Sequence, residues 1–326
     1  MLIRVLTQVF LASSLFQLFP VDAATLERAA RLPATSEARR PFPFDAAVSL
    51  VSAASLPPAA DADRAPRKTD PDSLGVVTSA VSALVVDAVS GAVLFEKGGE
   101  EPRPIGSITK LMTALVFLEG DPDLAASASV LPEDVRTGGR QHLPVGIAVT
   151  AHDLLLASLV SSDNTATMSL ARLSGLSEVD FVVRMNARAA ELGMTHTAFA
   201  DPTGLSSDNR SMPVDIVALL RAVLEEDTIR DATQRVSATV TTASGRPYFL
   251  ETTNDLHGSF LDADPYRIVG GKTGYLPLAG YCLGMEVERN GDDSIFVVVL
   301  GSVSNETRIL DAKALVAWAY KTYIWP

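Results

Sequence analysis

The chain is short of cysteine, of histidine and of positive charge, and each shortage removes a class of function. A single cysteine, Cys282, among 326 residues excludes an internal disulfide, so stability must come from the core. Set among Tyr281, Leu283 and Met285, that cysteine reads as a buried strand position without a catalytic role. The four histidines, His142, His152, His196 and His257, show no HExxH spacing and no cysteine partners. No metal site and no cofactor is therefore expected, and the histidines read as loop, cap or surface residues. Lys and Arg number 27 against 39 Asp and Glu, a net charge of −12 without a basic stripe, which argues against nucleic acid as a partner. The G-x-S-x-G turn of many hydrolases is missing, and so is any internal repeat.

Long apolar runs are confined to the N-terminus. Arg4 precedes an apolar stretch from Val5 to Phe19, and Val21-Asp22-Ala23 ends in small residues. The stretch is shorter than a bilayer requires and has the layout of a secretory signal cut after Ala23. The expectation is export, to the periplasm or the cell wall. Residues 24–70 are rich in Ala, Pro, Ser, Arg and Asp, with PFPF and LPPAADADRAPRK; they read as a disordered linker, with a short helix possible over Ala46 to Leu56. A folded domain is expected over 71–326.

What the chain does have is 47% hydrophobic residues in patterned segments. SALVVD, a turn at Ala88-Val89-Ser90-Gly91 and AVLFEK form a hairpin signal. Helical patterns follow at Ser107 to Glu119, His152 to Val160, Asn164 to Leu173, Glu178 to Leu192 and Pro213 to Glu225. From Arg235 the pattern turns to strands, RVSATVTT, RPYFLET, YRIVGGKTGY, AGYCLGMEVER and SIFVVVLGS, and closes on a helix from about Glu306 to Tyr323. This order implies an α+β fold, an antiparallel sheet flanked by helices with a helical insertion.

Three short clusters carry chemistry: Ser107-Ile108-Thr109-Lys110, Ser162-Asp163-Asn164 and Lys272-Thr273-Gly274. On a helix, residues three apart share a face, so the Ser107 hydroxyl and the Lys110 amine can meet. A serine hydroxyl becomes a nucleophile when a base takes its proton, and lysine can be that base if its pKa falls. Burial and a second cation, Lys272, would both lower it. Ser162 and Asn164, at a join between helices, suit a proton relay and an anchor for Lys110 and a substrate amide. Gly274, after Gly270 and Gly271, clears space for a substrate backbone on the strand edge, and the N–H of Ser107 suits one half of an oxyanion hole. A further SDN, at Ser207 to Asn209 within DPTGLSSDN, reads as a structural turn.

The ordered set of these clusters is a known signature. PIGSITKLMTA, LLLASLVSSDNTATMSLA, FVVRMNARAAELGMTHTAFADPTGL and VGGKTGYLPLAGYCL resemble the low-molecular-mass penicillin-binding proteins of the serine D-alanyl-D-alanine carboxypeptidase family, from about Val81 to Ala319. The resemblance implies a β-lactamase/DD-peptidase-like fold with an all-helical subdomain and the site in the cleft between. It implies hydrolysis of peptidoglycan stem peptides through an acyl-serine, and covalent capture by β-lactams. Ser107 would be nucleophile and Lys110 general base, with Ser162 and Asn164 as second motif. Lys272, Thr273 and Gly274 would bind substrate, with the Tyr275 N–H as second oxyanion donor and Arg308 facing the substrate carboxylate. No membrane anchor is expected, since the chain stops after the last helix, and the Asp of Ser-Asp-Asn resembles the compact endopeptidase branch. A class A-like β-lactamase would need a Glu-x-x-Leu-Asn motif between the second and third clusters, and none is present. A non-catalytic wall-binding module is the remaining alternative.

Overall fold

A computed structural model describes residues 64–326; the signal and most of the linker read from sequence lie outside the described residues. The centre is a five-stranded antiparallel sheet of β1 (Ser82–Asp87), β2 (Val93–Lys97), β3 (Tyr266–Leu276), β4 (Gly280–Arg289) and β5 (Asp293–Ser302). Their order is β3-β4-β5-β1-β2, so β3, which carries Lys272-Thr273-Gly274, is an edge strand. The β1–β2 turn is closed by the Asp87 carboxylate, which accepts from the Ser90 N–H and hydroxyl. Asn290 and Gly291 supply the positive φ values of the β4–β5 turn.

Each sheet face has its own core. Leu84, Val86, Phe296 and Val298 pack against helices α1 (Thr109–Leu118) and α5 (Pro213–Glu225). Ala83, Val85, Val297 and Val299 pack against α7 (Asn305–Thr322). β1 is thus buried along its whole length. It is an interior strand of the sheet, covered on both faces.

The helical block adds α2 (Ala151–Leu159), α3 (Asn164–Leu173), α4 (Glu178–Glu191) and α6 (Asp227–Gln234). α2 starts on a capping box between Thr150 and Asp153. The block also holds a strand pair, Ser127–Ser129 with Ala148–Thr150. RVSATVTT and RPYFLET form a hairpin separate from the main sheet, Ser237–Thr241 with Pro247–Glu251. The fold begins before Pro71: Arg67 and Lys68 pair with Ile324 and Tyr323. No helix among the described residues is long and apolar enough to cross a membrane.

The opening helix is the unusual element. From Thr109 to Phe117 every residue of α1 is buried, so it is covered on all sides. Its polar side chains must find partners inside the protein, and the loop over 201–209 supplies them. Asn209 Nδ2 donates to Thr109 Oγ1 at 3.2 Å, Thr113 Oγ1 donates to the Pro202 carbonyl at 2.6 Å, and Lys110 Nζ donates to the Thr203 carbonyl at 2.6 Å.

Candidate active site

The turn before α1 is a 3-10 helix, Gly106–Ile108, which places Ser107 at the mouth of a cleft of about 520 Å³. Gly106 adopts φ +55, and a Cβ there would stand 2.7 Å from the Tyr275 backbone nitrogen. Gly204 presses its backbone against the Gly106 carbonyl, 2.1 Å from where its own Cβ would be. The nucleophile turn is therefore clamped between β3 and the 201–209 loop. That loop is itself wound around Asp201, whose carboxylate accepts from the N–H groups of Thr203, Gly204 and Ser206. Its structural reading holds, and it also carries the Thr203 carbonyl into the site.

Lys110 Nζ lies 3.0 Å from Ser107 Oγ, 2.5 Å from Asn164 Oδ1 and 2.6 Å from the Thr203 carbonyl. The last two atoms can only accept. A neutral amine has two N–H donors for them and one lone pair, which is left pointing at the Ser107 hydroxyl. Lys110 has no exposed surface. Burial pushes its pKa down to about 7, against the opposing pull of the Asp201 and Asp163 charges. Lys272 is likewise held well below the ordinary lysine range, by burial and then by the charges of Lys110, Arg308 and Arg140; the repulsion between the two ammonium groups is mutual.

Ser162 and Asn164 flank a sharp join of α2 and α3. Ser162 holds φ +61, a strained conformation for a residue with a Cβ, and lines the cleft. Asp163 caps α3 through the Ala166 N–H, and its other oxygen accepts from the N–H groups of His142 and Leu143. The carboxylate in Ser-Asp-Asn thus ties the loop over 138–143 to the motif. Gly139 in that loop sits so close to Asn164 that a Cβ would fall 1.4 Å from Nδ2. Neither Gly139 nor Arg140, also in the cleft wall, stood out in the sequence.

On the opposite wall, Lys272 Nζ donates to Thr253 Oγ1 and to the Thr273 carbonyl, both at 3.3 Å, while the Thr253 and Thr273 hydroxyls lie 2.5 Å apart. The glycines there are required by packing within the chain, and Gly274 lines the cleft as well. A Cβ on Gly274 would stand 2.1 Å from the Ile105 carbonyl; one on Gly270 would meet Leu224 and Thr233, and one on Gly271 the Gly284 carbonyl. Gly274→Ala is expected to destabilise the fold by ~1–3 kcal/mol through overpacking against backbone. A lower urea midpoint at unchanged slope checks this. Tyr275 is half exposed and stacks on Tyr281 with ring centroids 4.4 Å apart. Arg308 is buried in the cleft wall, not on the surface, donating to the carbonyls of Cys282 at 3.1 Å and Gly274 at 3.4 Å and to Asn305 Oδ1. Cys282 is a buried free thiol, pushed up to about 11 by burial. No group of three or more acidic, histidine or cysteine residues able to hold a metal occurs among the described residues.

An edge strand bearing Lys-Thr-Gly, a buried lysine against a serine and a Ser-Asp-Asn turn across one cleft together define a serine-type peptidase of the penicillin-binding fold. The sequence model of the family described as D-alanyl-D-alanine carboxypeptidase matches residues 68–303, and the chain belongs to this family of hydrolases. It is 35% identical over 232 residues to a D-alanyl-D-alanine endopeptidase of Haemophilus influenzae, covering 70% of this chain and 78% of that protein. It is 28% identical over 253 residues to a D-alanyl-D-alanine carboxypeptidase of Bacillus subtilis, covering 75% and 63%. The crystal structure of a Streptomyces DD-transpeptidase matches with a TM-score of 0.69 at 26% identity, over 76% of this chain and 99% of the other. Penicillin-binding protein D2 of Listeria monocytogenes, solved in a cefotaxime-bound form, matches with a TM-score of 0.65 at 28% identity, over 76% and 99%.

Proposed function

We propose that this protein is an exported DD-peptidase that hydrolyses D-alanyl peptide bonds of peptidoglycan through an acyl-Ser107 intermediate and is captured covalently by β-lactams. The observation that carries the reading is the Lys110 amine 3.0 Å from Ser107 Oγ with its N–H groups committed elsewhere. Neutral Lys110 takes the Ser107 proton as Oγ attacks the carbonyl carbon. The N–H groups of Ser107 and Tyr275 hold the oxyanion. The tetrahedral adduct collapses, breaking the C–N bond, and the leaving nitrogen collects the proton from Lys110 through the Ser162 hydroxyl. Water then attacks the ester with Lys110 again as base, releasing the acid and Ser107. Asn164 holds Lys110 and the substrate amide. Lys272, Thr273 and Arg308 receive the carboxylate beside the leaving amine. Export rests on the signal-like N-terminus.

Within this activity we favour cleavage of cross-links over trimming of terminal D-alanine. Relatives of Haemophilus influenzae and Escherichia coli named D-alanyl-D-alanine endopeptidase share 35% and 33% identity, against 28% for the Bacillus subtilis carboxypeptidase. Purified protein should convert a cross-linked muropeptide dimer to monomers, read by mass, faster than it removes D-alanine from a pentapeptide. Release of D-alanine with intact dimer would overturn the preference, and unaltered products from both would favour a wall-binding role.

A further inference from the structure

We infer that Arg140 is a specificity residue that binds a second carboxylate of the substrate, on the acyl side of the scissile bond; the inference rests on the DD-peptidase reading above. The backbone of Arg140 is fixed to the Ser-Asp-Asn turn. Its carbonyl accepts from the Asn164 N–H at 2.9 Å, Gly139 beside it abuts Asn164, and the N–H groups of His142 and Leu143, two and three residues on, are tied to Asp163. Its side chain is exposed, lines the cleft, and has no hydrogen bond or ion pair with any other described residue.

The rest of the cleft leaves this charge without a counter-ion. Asp255, the carboxylate of the lining, already accepts from Asn305 Nδ2 at 2.6 Å. The other cations, Lys272 and Arg308, stand on the sheet wall and feel the Arg140 charge as a repulsion. In a chain of net charge −12, a cleft with cations on both walls is a local reversal of sign that draws and orients anions. One carboxylate, beside the leaving amine, occupies the sheet-wall cations. Arg140, on the wall of Asn164, is left to meet another, and a guanidinium fixed at its backbone suits a carboxylate through paired N–H donors.

Two penicillins differing by one group test this. Carbenicillin carries a carboxylate on the side-chain α-carbon where benzylpenicillin has hydrogen. The readout is the ratio of their second-order rate constants for acylating the protein, carbenicillin over benzylpenicillin, measured by intact mass. We expect the ratio to fall about ten-fold in Arg140→Ala and further in Arg140→Glu, and to recover in Arg140→Lys. Because benzylpenicillin is the internal reference, a folding defect does not move the ratio. A wild-type ratio in both the alanine and glutamate variants would overturn the inference alone. Failure of carbenicillin alone to acylate the wild-type protein would also overturn the inference, whereas failure of both drugs would overturn the acyl-serine reading and this inference with it.

Discussion

Ser107→Ala should abolish labelling by fluorescent penicillin and lower peptide hydrolysis by on the order of 10⁴–10⁶-fold, the loss typical of removing a serine nucleophile. The physical basis is local. Ser107 sits in a turn clamped by Gly106, Gly204 and Gly274, so its hydroxyl can reach the Lys110 amine and the cleft without a further rearrangement. Removing one oxygen leaves Lys110 with Asn164 and Thr203 as partners, and the melting temperature should change little. Labelling retained in the alanine variant would place the reacting atom elsewhere. Rapid penicillin turnover by the wild-type protein would move the reading toward a β-lactamase.

Lys110→Met should slow acylation by about 10²–10⁴-fold, the contribution of a positioned general base, and should erase the acidic limb of the pH profile. In the wild-type protein that limb should have its midpoint near 7, where burial holds the Lys110 amine. Acylation is low below it, because the ammonium has no lone pair, and climbs as the proton leaves. Loss of the Lys272 charge, whose pKa burial and neighbouring cations also hold well below the ordinary lysine value, opposes this rise by weakening the hold on the substrate carboxylate. Stopped-flow acylation by benzylpenicillin across the pH range checks the ascending limb. A flat profile in the wild-type protein would remove Lys110 from the role of base. Methionine fills similar space without a buried charge, so a melting temperature at or above wild type would separate lost chemistry from lost fold.

The parts of this site legible in the sequence were those whose chemistry is local. Serine and lysine three residues apart, Asn164 two after Ser162, and the Lys-Thr-Gly strand are patterns of residue type and spacing, and the structure brings them to one cleft. The strands of the sheet were legible from period and β-branched content. What escaped depended on contacts distant in sequence. The Thr203 carbonyl that shares Lys110 is a backbone atom, and no letter announces it. That Gly274 makes room for the Ile105 carbonyl was hidden because a glycine shows only that a side chain is missing, not which backbone fills the space. Helix α6, DTIRDATQ, was missed because its polar letters hide a face of Ile229, Ala232 and Thr233 that is buried. The strand at Arg67–Lys68 is two residues long and exists because Tyr323–Ile324 lies beside it, so a basic stretch in a Pro-rich segment read as linker.

The burial of Lys110 has a thermodynamic side as well. Its folded-state pKa lies below that of the unfolded chain, so between about 7 and 10.5 the unfolded state binds more protons, and stability rises with pH across that window. Below about 7 the fold carries the whole penalty of a sealed ammonium; above 10.5 it carries none. Enzymes that strain a site for function commonly trade stability against activity. Along the ascending limb this molecule escapes that trade, because the proton whose departure frees the base is the same one whose departure relieves the fold.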